Sequence, residues 1–134
     1  MKDGLVEEFE DNGQRTSKGN YKNGEKEGLW ESNYKDRQGF MCKERVTYKN
    51  GKEHGLCEFY RGFDNSTRRV TFNNGELEGP FEELYGDQLL ERGKYKSGEL
   101  EGLLEWFFWG HESYKENFKN GKLDGLRERF NDNG

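Results

Sequence analysis

Few residues of this 134-residue chain could do chemistry: two histidines, two cysteines and some adjacent glutamates. His54 and His111 stand in unrelated local contexts, which marks them as surface residues. No Cys-x-x-Cys or His-Glu-x-x-His spacing gathers metal ligands. Cys42 and Cys57 are too few for a disulfide framework and read as buried or half-buried thiols of a reduced, cytoplasmic protein. The pairs Glu7-Glu8 and Glu82-Glu83 are neighbours along extended chain, so their carboxylates point to opposite faces. Neither pair can act as acid and base unless a second segment supplies a partner. No Gly-x-Ser-x-Gly elbow is present, and the glycines mark turns, not a phosphate-binding strand-to-helix loop. The expectation is a protein that is not an enzyme, with no catalytic residue, no metal and no cofactor. What remains is aromatic. Trp106-Phe107-Phe108-Trp109 is the densest apolar run, and two readings of it stay open: a packed unit, or an exposed contact of the kind that dominates protein interfaces.

The elements that must position these residues come from a repeated phrase. It occurs as Tyr21-Lys22-Asn23-Gly24-Glu25-Lys26-Glu27-Gly28, and again from Tyr48 to Gly55, Phe72 to Gly79, Tyr95 to Gly102 and Phe118 to Gly125. Each copy has an aromatic, a turn glycine three residues on (Gly24, Gly51, Gly75, Gly98, Gly121) and a second glycine four beyond that. The second glycines, Gly28, Gly55, Gly79, Gly102 and Gly125, are spaced by 27, 24, 23 and 23 residues. A period of this size signals a repeat array. The units run approximately over 4–27, 28–54, 55–78, 79–101 and 102–124, with a partial unit at 125–134, all in one domain.

Asn-Gly between alternating segments is a strong type I′ hairpin signal, because both turn positions need positive φ. Asn23-Gly24, Asn50-Gly51, Asn74-Gly75, Ser97-Gly98 and Asn120-Gly121 supply the tight turns. Looser turns fall at 36–39, 62–65, 86–87 and 109–110. The sequence predicts an all-β fold: a single elongated, twisted antiparallel meander of about eleven strands built from ~23-residue β-hairpin repeats. With two-residue loops and no bulge, Tyr48 faces Glu53 and Val46 faces Gly55, which lets the Tyr48 ring lie over the bare glycine. A glutamate follows by three residues every second glycine and Gly4, which leads their series (Glu7, Glu31, Glu58, Glu82, Glu105, Glu128), and a base precedes every phrase aromatic by three (Lys18, Arg45, Arg69, Arg92, Lys115). That register makes them diagonal cross-strand pairs that guard against slippage. The opposite face collects Trp30, Cys57, Phe81 and Leu104, with Phe59 and Trp106 two residues further on.

Composition narrows the classes. Hydrophobic residues make up 29% and charged residues 37%, which approaches disorder, but an aromatic content of 15% and a net charge of only −5 favour a folded array. No apolar run is long enough to span a membrane or serve as a signal peptide. The mild acidity disfavours nucleic acid as a partner. The first ten residues from Gly4 match those from Gly125, so the chain starts and stops at one phase of the repeat. That reads as a segment of a longer array or as an open edge able to pair with a partner strand, including an edge-strand homodimer.

The phrase resembles the MORN repeat, and more closely its bacterial variant with a Tyr-x-Asn-Gly-Lys-x-x-Gly core, a class carrying an antitoxin-component label. The likeness covers nearly the whole chain. It implies a non-catalytic protein-protein interaction module, of antitoxin, immunity or inhibitor type, that binds a target protein through one sheet face. Trp30, Phe59, Phe81, Trp106, Phe108 and Trp109 are the candidate partner-binding residues. The alternatives are a structural or regulatory segment of a larger protein, or a phospholipid-binding module as the wider family name implies. The interleaved bases and acids give no cationic face, which weighs against lipid.

Overall fold

The computed structural model of the chain describes residues 2–9, 15–108, 111–125 and 127–129. Fifteen strand segments form one open antiparallel sheet among them. They are β1 (Gly4–Phe9), β2 (Arg15–Lys22), β3 (Glu25–Lys35), β4 (Met41–Lys49), β5 (Lys52–Glu53), β6 (Gly55–Arg61), β7 (Ser66–Asn73) and β8 (Glu76–Leu77). Then come β9 (Gly79–Tyr85), β10 (Gln88–Lys96), β11 (Glu99–Leu100), β12 (Gly102–Phe108), β13 (His111–Lys119), β14 (Lys122–Leu123) and β15 (Glu128–Arg129). The two-residue segments β5, β8, β11 and β14 leave the tight turns; the first three lead into longer strands and β14 into the two-residue β15. Counted that way, the sheet is a meander of eleven crossings among the described residues, paired in chain order.

The tight turns have the expected backbone. Asn50 and Gly51 stand at φ +52° and +81°, and the other four turns repeat this pair of values closely. The register departs from the no-bulge expectation. In the second hairpin Lys49 pairs with Lys52 and Tyr48 with Glu53, but Arg45 then pairs with Glu58. Two extra residues have entered the second strand. The second glycine makes this possible: Gly28, Gly55, Gly79, Gly102 and Gly125 all have positive φ. The chain kinks there, and the preceding amide closes the bulge, as where His54 N–H donates to the Thr47 carbonyl at 2.8 Å.

The phrase glycine therefore has a different reason from a ring lying over it. A Cβ built on Gly55 would meet only the Thr47 side chain, at 4.0 Å, and one on Gly28 would meet nothing. Aromatic cover of glycine does occur, at Gly19 and Gly93. A Cβ on Gly19 would lie 2.3 Å from the Trp30 ring, and one on Gly93 would lie 2.9 Å from Phe81.

The shift of two has a larger effect. It brings each glutamate directly opposite each base, where the unbulged register made them diagonal. Glu7, Lys18, Glu31, Arg45, Glu58, Arg69, Glu82, Arg92, Glu105, Lys115 and Glu128 form one row across the sheet, every neighbour a register partner. The sign alternates at each step. Arg69 reaches Glu82 at 2.9 Å and Glu58 at 3.9 Å, and Arg92 reaches Glu105 at 2.9 Å. Half-exposed pairs of this kind contribute roughly 0.2–1 kcal/mol each. Exposed Leu5, Leu29, Leu56 and Leu103 share this face, separated by Asn20, Thr47, Thr71 and Asn117.

The core lies on the other face. Trp30, Val46, Cys57, Val70, Phe81 and Leu104 are buried. The phrase aromatics Tyr48, Phe72, Tyr95 and Phe118 pack against this cluster, with Leu77 and Leu100.

Both long edges are laced. Each tight-turn glycine amide donates to a carbonyl of the previous hairpin: Gly51 to Lys26, Gly75 to Glu53, Gly98 to Leu77 and Gly121 to Leu100, at 2.8–3.0 Å. The residue before each second glycine accepts from the next turn: Glu27 from the Asn50 amide, Glu78 from Ser97, Glu101 from Asn120, and the His54 Nδ1 from Asn74. This accounts for the recurring acid in the phrase. On the loose-turn edge, Gly62 donates to the Met41 carbonyl and Gly86 to that of Asn65.

The two kinds of glycine are separable by experiment. Gly28→Ala should cost about 1–2 kcal/mol through its left-handed backbone, and Gly19→Ala about 1–3 kcal/mol through the ring above it. In a Trp30→Leu background, urea unfolding should show the Gly19 penalty falling by half or more and the Gly28 penalty unchanged. Equal penalties at Gly19 in both backgrounds would refute the ring-contact account.

Candidate protein-binding edge and its polar row

Two loops on the loose-turn edge are built rigidly by a single aspartate each. Asp36 accepts from the amides of Gln38 and Phe40 at 2.9 and 3.0 Å, while its own amide donates to the Phe40 carbonyl. Asp64 accepts from the Ser66 amide at 3.1 Å and from the Ser66 hydroxyl, and Arg61 pairs with it at 3.3 Å. The Ser66 hydroxyl bond is the main cause holding the Asp64 carboxyl below its usual range. Such Asx geometry presets a turn before anything binds it.

These loops present apolar side chains to solvent. Phe63 is 63% exposed, and its ring meets that of Phe40 edge-on at 5.3 Å. Met41, Tyr85 and Phe108 are also exposed at strand ends along this edge, Met41 on the face of Lys43 and Arg45 and Tyr85 on the face of Phe81 and Glu83. Gly62 bonds the Met41 carbonyl and Gly86 that of Asn65, which ties neighbouring loops of this edge together. The leucines of the ladder face are singly spaced among polar residues and need no such explanation.

Beside this edge, on the core face, runs a second row of register partners. In order it reads Glu8, Ser17, Ser32, Glu44, Phe59, Arg68, Glu83, Glu91, Trp106, Tyr114 and Arg129. Most of it is internally matched. Arg15 pairs with Glu44 at 2.9 Å, and Ser17 and Ser32 share a hydrogen bond. Arg68 pairs with Glu83 at 3.6 Å, lies over the Phe81 ring at 4.9 Å and donates to the Tyr95 hydroxyl. Toward β1 a cleft of about 260 Å³ opens between Lys26, Trp30 and Tyr48 on one side and Glu8, Arg15 and Glu44 on the other. Lys26 stands over both rings there, at 4.6 and 5.1 Å.

Glu91 is the exception in the row. It is 9% exposed, and among the described residues no hydrogen bond or ion pair reaches its carboxylate. Burial pushes its pKa up; the Arg68 charge lowers it and the Glu83 charge raises it further. Glu83 and Glu91 are direct cross-strand partners, so β10 supplies the second segment that the pair Glu82-Glu83 lacks in sequence. Glu83 is already engaged by Arg61 and Arg68. Among the described residues no group of three histidine, cysteine or carboxylate side chains is arranged to hold a metal ion.

The candidate binding residues separate. Trp30 and Phe81, each 3% exposed, are core: their rings cover Gly19 and Gly93 and offer nothing to a partner. Phe59 and Trp106 are half-buried and pack against the core from the second row. Phe108 is 60% exposed. Trp109 lies outside the described residues. Met41, Tyr85 and Glu91 escaped the sequence reading. Tyr85 and Met41 sit at strand ends beside loops of irregular length, and only the register shows Glu91 facing inward. No family model matches this sequence, and no curated protein matches it.

Stability should report on Glu91. Its folded pKa lies above the ordinary value of 4.5, so the stability linked to its proton is present below that value and is lost as pH rises through the folded pKa. Glu91→Gln should therefore raise the unfolding midpoint at pH 7, and the gain over wild type should vanish near pH 4. A variant equally or less stable at pH 7 would contradict the unpaired carboxylate.

Proposed function

We propose that this chain is a non-catalytic protein-binding module of the MORN-like kind its repeats resemble, acting in the cytoplasm as a neutralising partner of another protein. The observation that carries this reading is the exposed ring pair Phe40 and Phe63, held out by loops that are already ordered, with Met41, Tyr85 and Phe108 exposed along the same edge. Aromatic side chains clustered in water are unfavourable and mark sites of protein association. The loops that bear it have prepaid their ordering, which lowers the cost of binding. Cys42 and Cys57 are free thiols, which suits a reduced compartment. The second row beside the edge adds the charges that select a partner.

The test is affinity capture from host lysate with tagged protein, run beside sedimentation with anionic liposomes. One stoichiometric protein should be recovered. Phe63→Asp with Phe108→Asp should weaken its affinity by about 30-fold or more, while Leu29→Asp with Leu56→Asp on the ladder face should leave it within about threefold. Salt-sensitive liposome binding with no captured protein would overturn the reading in favour of a lipid surface.

A further inference from the structure

The polar matching of the second row fails at one place. Glu91 on β10 is 9% exposed, no hydrogen bond holds its carboxylate among the described residues, and its direct cross-strand partner is Trp106 on β12. The Trp106 indole N–H is itself buried and donates to nothing among the described residues. A carboxylate that no hydrogen bond holds but that keeps contact with solvent, and a buried donor that is unmatched, thus stand side by side on one face. Unmatched groups of this kind are costly and cluster at binding sites.

The rings indicate what belongs between them. Tyr114 stacks on Trp106 from the β13 side, at 5.8 Å with an interplanar angle of 26°. Arg127 stands over Tyr114 at 5.6 Å and is tied to Glu116 at 3.0 Å. One end of the stack therefore already carries a cation. Because β12 lies between β10 and β13, Glu91 stands across from Trp106 on the side away from Tyr114. A cation there would meet an indole face and a carboxylate together, the two groups that best stabilise one. Glu83 does not compete, since Arg61 and Arg68 engage it.

We propose that Glu91, Trp106 and Tyr114 form a recognition site for one basic side chain, Lys or Arg, presented by a partner protein. The proposal rests on the protein-binding reading and names the chemistry the partner must bring. The side-chain cation takes the Glu91 carboxylate and the ring face.

The test uses the full chain, ¹⁵N-labelled, titrated with Nα-acetyl-arginine methylamide and, as a neutral isostere, Nα-acetyl-citrulline methylamide. The Trp106 indole cross-peak is assigned by its loss in Trp106→Phe. The arginine probe should shift that peak saturably in the millimolar range, up to about 50 mM, and the citrulline probe should not. Glu91→Gln, which retains the fold, should weaken the response by about tenfold or more. No saturable shift, equal shifts with both probes, or an unchanged response in Glu91→Gln would each overturn the site. Capture of a partner without a probe response sinks this site alone. A probe response without any captured protein sinks the protein-binding reading and leaves a cation site.

Discussion

Positive φ at three positions in each hairpin is the constraint on which this structure depends. Asn and Gly turn the chain, and the second glycine, four residues later, inserts a two-residue shift into the returning strand. Without that shift the acids and bases would sit diagonally. With it they stand opposite one another along a single row, from Glu7 to Glu128. A side chain at Gly55 would meet almost nothing in space, so the requirement lies in the backbone.

A single sheet layer of this composition buries little. Its core is one row deep, Trp30 to Leu104, roofed by the phrase aromatics. Lateral matching compensates. The ladder fixes register on one face, and the turn amides bond the previous hairpin along one edge. Each unit thus contacts its neighbours by charge, core and turn together, which is how a repeat array reaches stability without a thick interior. The His54 imidazole replaces the usual acid at one junction and still serves as the acceptor through Nδ1.

The two long edges divide the work. The tight-turn edge is uniform, because each of its turns must also bond the one before it. The loose-turn edge varies in length and composition, and there aspartates preset loops that expose Phe40 and Phe63. Variation is tolerated where a loop has fewer obligations, and exposed apolar surface collects in the same place. The second row lies between this edge and the core. Its charges are matched from Glu44 to Glu83 and unmatched at Glu91 and Trp106.

Much of the fold was legible in the sequence by itself. Asn50-Gly51 and its counterparts specify type I′ turns for steric reasons that hold in any context, and the ~23-residue period specifies a meander of hairpins. Alternation assigned the glutamates and bases to one face and Trp30, Cys57, Phe81 and Leu104 to the other. The shift at Gly55 was not legible, because a glycine in a strand reads equally as a bulge or as a bare patch under a ring; only the φ of the folded chain separates them. For the same reason the ring-covered glycines proved to be Gly19 and Gly93. Nor could alternation tell core from contact: Trp30 and Phe108 both point to apolar surroundings in sequence, yet one is sealed by its neighbours and the other stands at the rim. Glu91 shows the same limit. Its burial and the absence of a partner depend on what β9 and β12 place across from it, and the register that brings Glu83 and Trp106 there exists only in the folded sheet.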